Sequence, residues 1–259
     1  MLVSSSVGSK YGIPEPSRLL PTLSNLIHSL GVAFEVAVVQ ADVVAHSMGG
    51  LITREFPHQD AFVDDRNYGA GYVHKLITID TPHQGTPLAN RLSASNPACH
   101  LLFSSFRMPI DDGAIDDLRM NSPEIRSLGV SLSFDHGIPT HAITGTAYPI
   151  QEIQTEQEWS VRGISALCRL LPNGTFFSLF QEPSDLIVPE TSQAGVSAGV
   201  IGHPLVVWHS PSGLIHSQDS VVFTFGPDVL SSTDVLTHTI DILNSPITAQ
   251  YFQFVSPEF

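Results

Sequence analysis

The chain has 259 residues, 42% of them hydrophobic and 14% charged, with a formal net charge of −14. That length and apolar content suit one large α/β domain whose core needs no disulfide or metal staple, and they exclude wholesale disorder. Two lysines and nine arginines against 25 acidic residues exclude a nucleic-acid binder that works by phosphate contacts.

No window approaches the ~18 uninterrupted apolar residues of a membrane-spanning helix. The opening MLVSSSVGSKYG lacks the basic and apolar regions of a signal peptide, so a soluble chain is expected. Cys99 and Cys168 are too few for a disulfide framework or a cysteine zinc site and read as two core thiols, with a single bridge as the alternative.

Residues 1–16 are rich in Ser, Gly and Pro and show no period. Leu19, Leu20, Leu23, Leu26, Ile27 and Leu30 predict a helix running to Phe34. A valine-rich run follows, in which Ala41 to Ala45 reads as a buried parallel strand. HSMGG comes next, and a helix opens over Leu51 to Phe56. A loop from Asp60 to Gly71 precedes a second buried strand, Val73 to Ile79, which ends in Asp80-Thr81-Pro82. Residues 87–135 alternate short helical patterns with Pro and Gly breaks and hold a candidate lid or cap segment; His100 to Phe106 is a candidate lid or acyl-binding wall, with core or helix packing as the alternative. His141 to Gly145 is the third strand. A long insertion over 146–184 carries a helical patch from Val161 to Leu171. Leu205 to Trp208 is the fourth strand, and Asp234 to Asn244 closes the chain as an amphipathic helix. Strands alternating with helices predict a parallel sheet in a single α/β domain over 1–259.

The strongest local signal is VVAHSMGGL, residues 43–51. Ser47 follows an apolar strand directly, with the small residues Ala45 and Gly49 two positions to either side. A sharp strand-to-helix turn needs such neighbours, because the serine backbone is strained and the flanking chain crowds together. The turn lifts the hydroxyl above the sheet edge and aims the Met48 N–H, at the helix start, at a developing oxyanion. An ordinary strand–helix turn with a serine cap is the alternative.

AHSMGG resembles the nucleophile elbow of α/β-hydrolase lipases and esterases. LITIDTPHQGTPLAN (76–90), GAIDDLRMNSPEI (113–125) and SDLIVPETSQ (184–193) resemble, in order, the strand and loop after the elbow helix, a later helical stretch and the catalytic-acid loop of that superfamily. The similarity runs over about residues 36–245. It implies a three-layer α/β-hydrolase fold with a mostly parallel sheet, and a serine esterase or lipase that needs no cofactor and no metal. Its substrate would be a small-molecule or lipid ester.

A serine hydroxyl needs a base within hydrogen-bond reach, and that base needs a carboxylate to fix its tautomer. In this fold the chain order is Ser, then Asp or Glu, then His. Asp185, anchored by the apolar Leu186-Ile187-Val188-Pro189, is the candidate acid, with a simple turn role as the alternative. Of the 12 histidines, His203, His209 and His216 follow it outside the closing helix. The resemblance places the base at His216, in GLIHSQDS, with His209 as the alternative base. His46 is expected to pack beside the elbow, and His83 to line the site floor. Asp60, Asp64 and Asp65 lack calcium-ligand spacing and read as a solvated loop. Asp111, Asp112, Asp116 and Asp117 read as helix-start charges and exposed surface.

One part of the pattern is missing. The second oxyanion donor of this fold comes from a loop after an earlier strand, often marked by His-Gly, and no such pair stands on a strand in the 46 residues before Ser47. The usual first strands have no room there, and the first helix enters without a preceding strand. The expectation is an N-terminally incomplete hydrolase rather than a minimal variant, with an exposed sheet edge and a loss in turnover of about 10²–10³ for one absent donor. Two other functions stay open: another acyl-transfer enzyme on the same triad (amidase, thioesterase or acyltransferase), or a truncated remnant without catalysis.

Overall fold

The computed structural model describes residues 2–3, 16–92, 112–129, 138–147, 183–195, 205–217 and 227–252. Five strands form one sheet in sequence order: β1 (Leu2–Val3), β2 (Ala41–His46), β3 (Val73–Ile79), β4 (Thr140–Thr144) and β5 (Val206–His209). Every neighbouring pair is parallel. The helices are α1 (Pro16–Phe34), α2 (Met48–Glu55), α3 (Pro87–Leu92), α4 (Asp112–Asp117), α5 (Pro123–Gly129), α6 (Glu190–Gln193) and α7 (Thr233–Asn244).

The central strands are largely buried and carry apolar side chains on both faces, because both faces of the sheet are covered. Val43 and Ala45 of β2 pack with Leu20, Leu23 and Ile27 of α1 and Met48 and Ile52 of α2. Val44 between them points the other way, joining Ile77, Ile79 and Ile143 against Val235 and Ile242 of α7. One strand therefore feeds two apolar clusters, one on each side of the sheet, and three layers result. α7 is fixed at both ends. The Ser232 hydroxyl accepts from the Val235 N–H at 3.4 Å, and the buried Lys75 ammonium donates to the carbonyls of Ile242, Leu243 and Ser245 at 3.2, 2.7 and 2.8 Å. A cation there also meets the negative end of the helix dipole.

Two expectations need correction. A strand does precede α1: Leu2 pairs with Val44 and Val3 with Ala45. Two residues are too few to show a period. Residues 60–71 are not a plain solvated loop either. Short 3₁₀ turns occupy Asp60–Phe62 and Asp65–Asn67, and Asp64 caps the second by accepting from the N–H groups of Arg66 and Asn67. Its other oxygen accepts the Tyr72 hydroxyl at 2.6 Å. The Asp116 carboxylate lies 3.4 Å from Arg119 Nε. His100 to Phe106, Val161 to Leu171, Cys99, Cys168, Asp111 and His203 lie outside the described residues. Among the described residues no helix is long and apolar enough to cross a membrane.

Because all five strands run the same way, their C-terminal ends share one edge. β2 delivers Ser47 there, β3 delivers Asp80, β4 delivers Gly145, and the chain after β5 reaches His216. Open parallel sheets bind ligands at this edge.

Candidate active site

Ser47 sits between β2 and α2 with φ 54° and ψ −133°, a conformation that L-residues rarely adopt. Its N–H donates to the Ile79 carbonyl at 2.9 Å, and its carbonyl accepts from the Gly50 N–H at 3.1 Å, so both flanks of the turn are pinned. The glycine pair of HSMGG has a further use. A Cβ on Gly50 would lie 2.2 Å from Thr81 Oγ1, so only glycine lets α2 lie against the loop after β3. Met48 is the first residue of α2, where a helix has no carbonyl of its own for the N–H.

A backbone held this way costs about 1–3 kcal/mol. Ser47→Gly is therefore expected to raise stability by about 1 kcal/mol, net of the entropy glycine adds to the unfolded chain. Thermal unfolding checks this. A midpoint equal to or below that of the parent would remove strain from the account.

The Ser47 hydroxyl is 2.8 Å from His216 Nε2, and His216 Nδ1 is 2.6 Å from Asp185 Oδ2. Asp185 is fully buried, and its Oδ1 accepts from the N–H groups of Ile187 and Val188 at 2.8 and 2.6 Å. The His216 backbone is tied in as well. Its N–H donates to the Asp185 carbonyl at 3.1 Å, and its own carbonyl lies 3.1 Å from His46 Nε2. The His46 ring packs on that of His216 with centroids 4.6 Å apart. Burial, with the neighbouring His216 second, lowers the His46 pKa to about 3, so His46 stays neutral beside the His216 ring.

Residues 23–96 match the family described as PGAP1-like alpha/beta domain, a span that holds Ser47 but neither Asp185 nor His216. No curated protein matches the chain in sequence. Among solved structures, the mature form of a Bacillus licheniformis lipase superposes with a TM-score of 0.51 at 13% identity, over 90% of this chain and 75% of that one. The Staphylococcus hyicus lipase superposes at 0.47 and 15%, over 79% and 69%. The first superposition and the parallel sheet decide the architecture. The fold is that of the α/β-hydrolases.

In this α/β-hydrolase fold His209 stands away from the Ser47 pairing. Its ring is largely exposed, with Nδ1 2.5 Å from Glu190 Oε1 and 3.1 Å from Thr144 Oγ1. His83 is fully buried, between β3 and α2. Nε2 is 3.1 Å from Thr78 Oγ1, and Nδ1 is 3.1 Å from an Arg54 guanidinium nitrogen. Burial, then the Arg54 charge, lowers its pKa, leaving a neutral ring that accepts from arginine.

Three residues at the site escaped the sequence. Asp80, fully buried with φ 48°, accepts the Gly145 N–H on Oδ1 at 2.6 Å, and its Oδ2 lies 4.0 Å from His216 Nδ1. Gly145 leaves the space for it, since a Cβ there would fall 2.8 Å from Asp80 Oδ2. Gln193 clasps the acid loop, accepting from the Gly145 N–H at 2.8 Å and donating to the carbonyls of Gly145 and Val188 at 3.1 and 2.9 Å. The available signal for Asp80 was its position, a carboxylate directly after the buried strand β3. His46, Asp80 and His216 also place potential ligand atoms within 4.8 Å of one another. Both His216 nitrogens are engaged by Ser47 and Asp185, and His46 Nε2 by a carbonyl, so the arrangement is hydrogen-bonded rather than set out for a metal.

Proposed function

We propose that this protein hydrolyses carboxylic esters through an acyl-enzyme on Ser47. The observation that carries the reading is the continuous chain from Ser47 Oγ through His216 to Asp185, at 2.8 and 2.6 Å. Ser47 attacks the ester carbonyl while His216 Nε2 takes its proton. Asp185 keeps the imidazole in the Nδ1–H tautomer and stabilises the imidazolium. The tetrahedral oxyanion lies against the Met48 N–H, at the positive end of α2. Collapse expels the alcohol, which takes the proton from His216, and water then deacylates Ser47 by the same route. Small-molecule and lipid esters both present the required carbonyl.

β1 ends beside the elbow strand, Val3 opposite Ala45, so the second oxyanion donor that this chemistry calls for has a strand to follow.

The test is hydrolysis of p-nitrophenyl butyrate by the purified chain beside Ser47→Ala. Turnover that disappears in the variant supports the reading. A folded parent without turnover, or a variant as active as the parent, rejects it. A parallel panel of thioesters and amides separates ester hydrolysis from the other acyl-transfer activities.

A further inference from the structure

Asp80 is a second carboxyl group beside the His216–Asp185 pair, and it belongs to no step described above. Its Oδ1 is satisfied by the Gly145 N–H. Its Oδ2 is buried and has no hydrogen-bond donor in reach. The groups that face it are the His216 ring, whose Nδ1 lies 4.0 Å from it, and the Asp185 carboxylate, which meets the same Nδ1 at 2.6 Å, so that the two carboxyl groups flank one nitrogen. His46 packs behind that ring. None of these gives an ionised Oδ2 a partner, since His216 already spends its Nδ1 proton on Asp185. An orphaned, fully buried anion next to a second anion is strongly unfavourable. A proton on Oδ2 removes the problem, because the O–H then has the Asp185 carboxylate to donate to.

We propose that Asp80 is a neutral carboxylic acid whose O–H donates to Asp185, so that the two side chains together carry one negative charge toward His216. This rests on the roles of Ser47, His216 and Asp185 proposed above. Burial and the Asp185 charge act in the same direction, raising the Asp80 pKa well above the carboxylate range. Asp80 is thus a positioning residue. Its O–H and the N–H groups of Ile187 and Val188 hold the acid in one orientation. By drawing charge from Asp185 it also weakens the pull of that carboxylate on the His216 ring.

Asp80→Ala and Asp80→Asn separate this from the opposite assignment. Asparagine keeps an acceptor for Gly145 and a neutral donor for Asp185, whereas alanine removes both. Asp80→Ala is expected to lose roughly tenfold in kcat and to move the acid limb of the kcat/KM–pH profile upward, because Asp185 then acts on His216 with its full charge. Asp80→Asn is expected to recover most of both. If Asp80 were ionised, both variants would delete a negative charge near His216 and move the acid limb downward, which overturns the proposal. Infrared spectra of the folded protein at neutral pH give a readout that needs no turnover and covers the case in which the alanine variant fails to fold. A protonated-carboxyl C=O band lost in Asp80→Asn supports the proposal, and its absence from the parent overturns it. A chain that shows this band yet hydrolyses no ester would retain the neutral Asp80 and lose the hydrolase reading.

Discussion

His216→Ala is expected to lower kcat for p-nitrophenyl butyrate by about 10⁴–10⁶, while His209→Ala changes it by less than roughly threefold. The sequence leaves both open, since each follows Asp185 in the order that the triad requires. Their surroundings differ. His216 Nε2 lies 2.8 Å from the Ser47 hydroxyl, and its Nδ1 meets a carboxylate fixed by two backbone N–H groups. His209 uses Nδ1 on both Glu190 and Thr144 at the end of β5, in an exposed pair worth little once solvated. Initial rates and a thermal midpoint for each variant suffice. An alanine at 216 that keeps more than about 1% of the parental rate would sink the assignment, as would equal damage from both variants.

Where the fold was legible, the signal was local. Val73 to Ile79 was bounded correctly because its apolar run stands out between the Asp-, Asn- and Gly-rich loop before it and Asp80-Thr81-Pro82 after it. The closing helix was placed to within one residue, its apolar stripe running up to Asn244. β1 was invisible, because Leu2 and Val3 are a strand only by pairing with Val44 and Ala45, a relation no window of sequence contains. The same holds at the site. Ser47 announced itself through neighbours chosen for the turn. Asp80 matters only because β3 lies between β2 and β4, so that its carboxyl meets Gly145 on one side and the His216–Asp185 pair on the other. Gln193, an ordinary polar residue in sequence, becomes a clasp only once α6 is set against the end of β4.

The histidines also set how the protein responds to acid. Stability is expected to fall between about pH 6.5 and 5, before most carboxylates titrate. Burial lowers the pKa of His46 to about 3 and that of His141 to about 4, and it lowers those of His83 and His238 as well. His141 and His238 bring their Nε2 atoms within 3.2 Å, and Trp208 stacks on His238 with centroids 4.2 Å apart, so a proton has no ready place in that cluster. A folded-state pKa below the unfolded value means that the unfolded chain binds protons first as the pH drops. The neutral folded form therefore contributes fully above the unfolded pKa of 6.5 and loses ground as the pH falls toward the folded value. At about 1.4 kcal/mol per unit and per group, His46 and His141 together cost about 4 kcal/mol by pH 5, with His83 adding in the same direction. Asp80 works the other way, because a raised carboxyl pKa favours the folded state as the pH falls. Asp80 offsets about 1.4 kcal/mol per unit, so the net slope takes the histidines' sign only below about pH 6.5, where His46, His83 and His141 outnumber it. For a chain of this length the thermal midpoint should drop by roughly 10 °C over the interval. The decisive comparison is His141→Gln, which removes one titrating ring and should flatten the slope by about one proton's worth. A midpoint that stays level from about pH 6.5 to 5, or a slope that His141→Gln leaves unchanged, would mean that these rings are protonated in place and that the polar contacts around them rearrange to accept the charge.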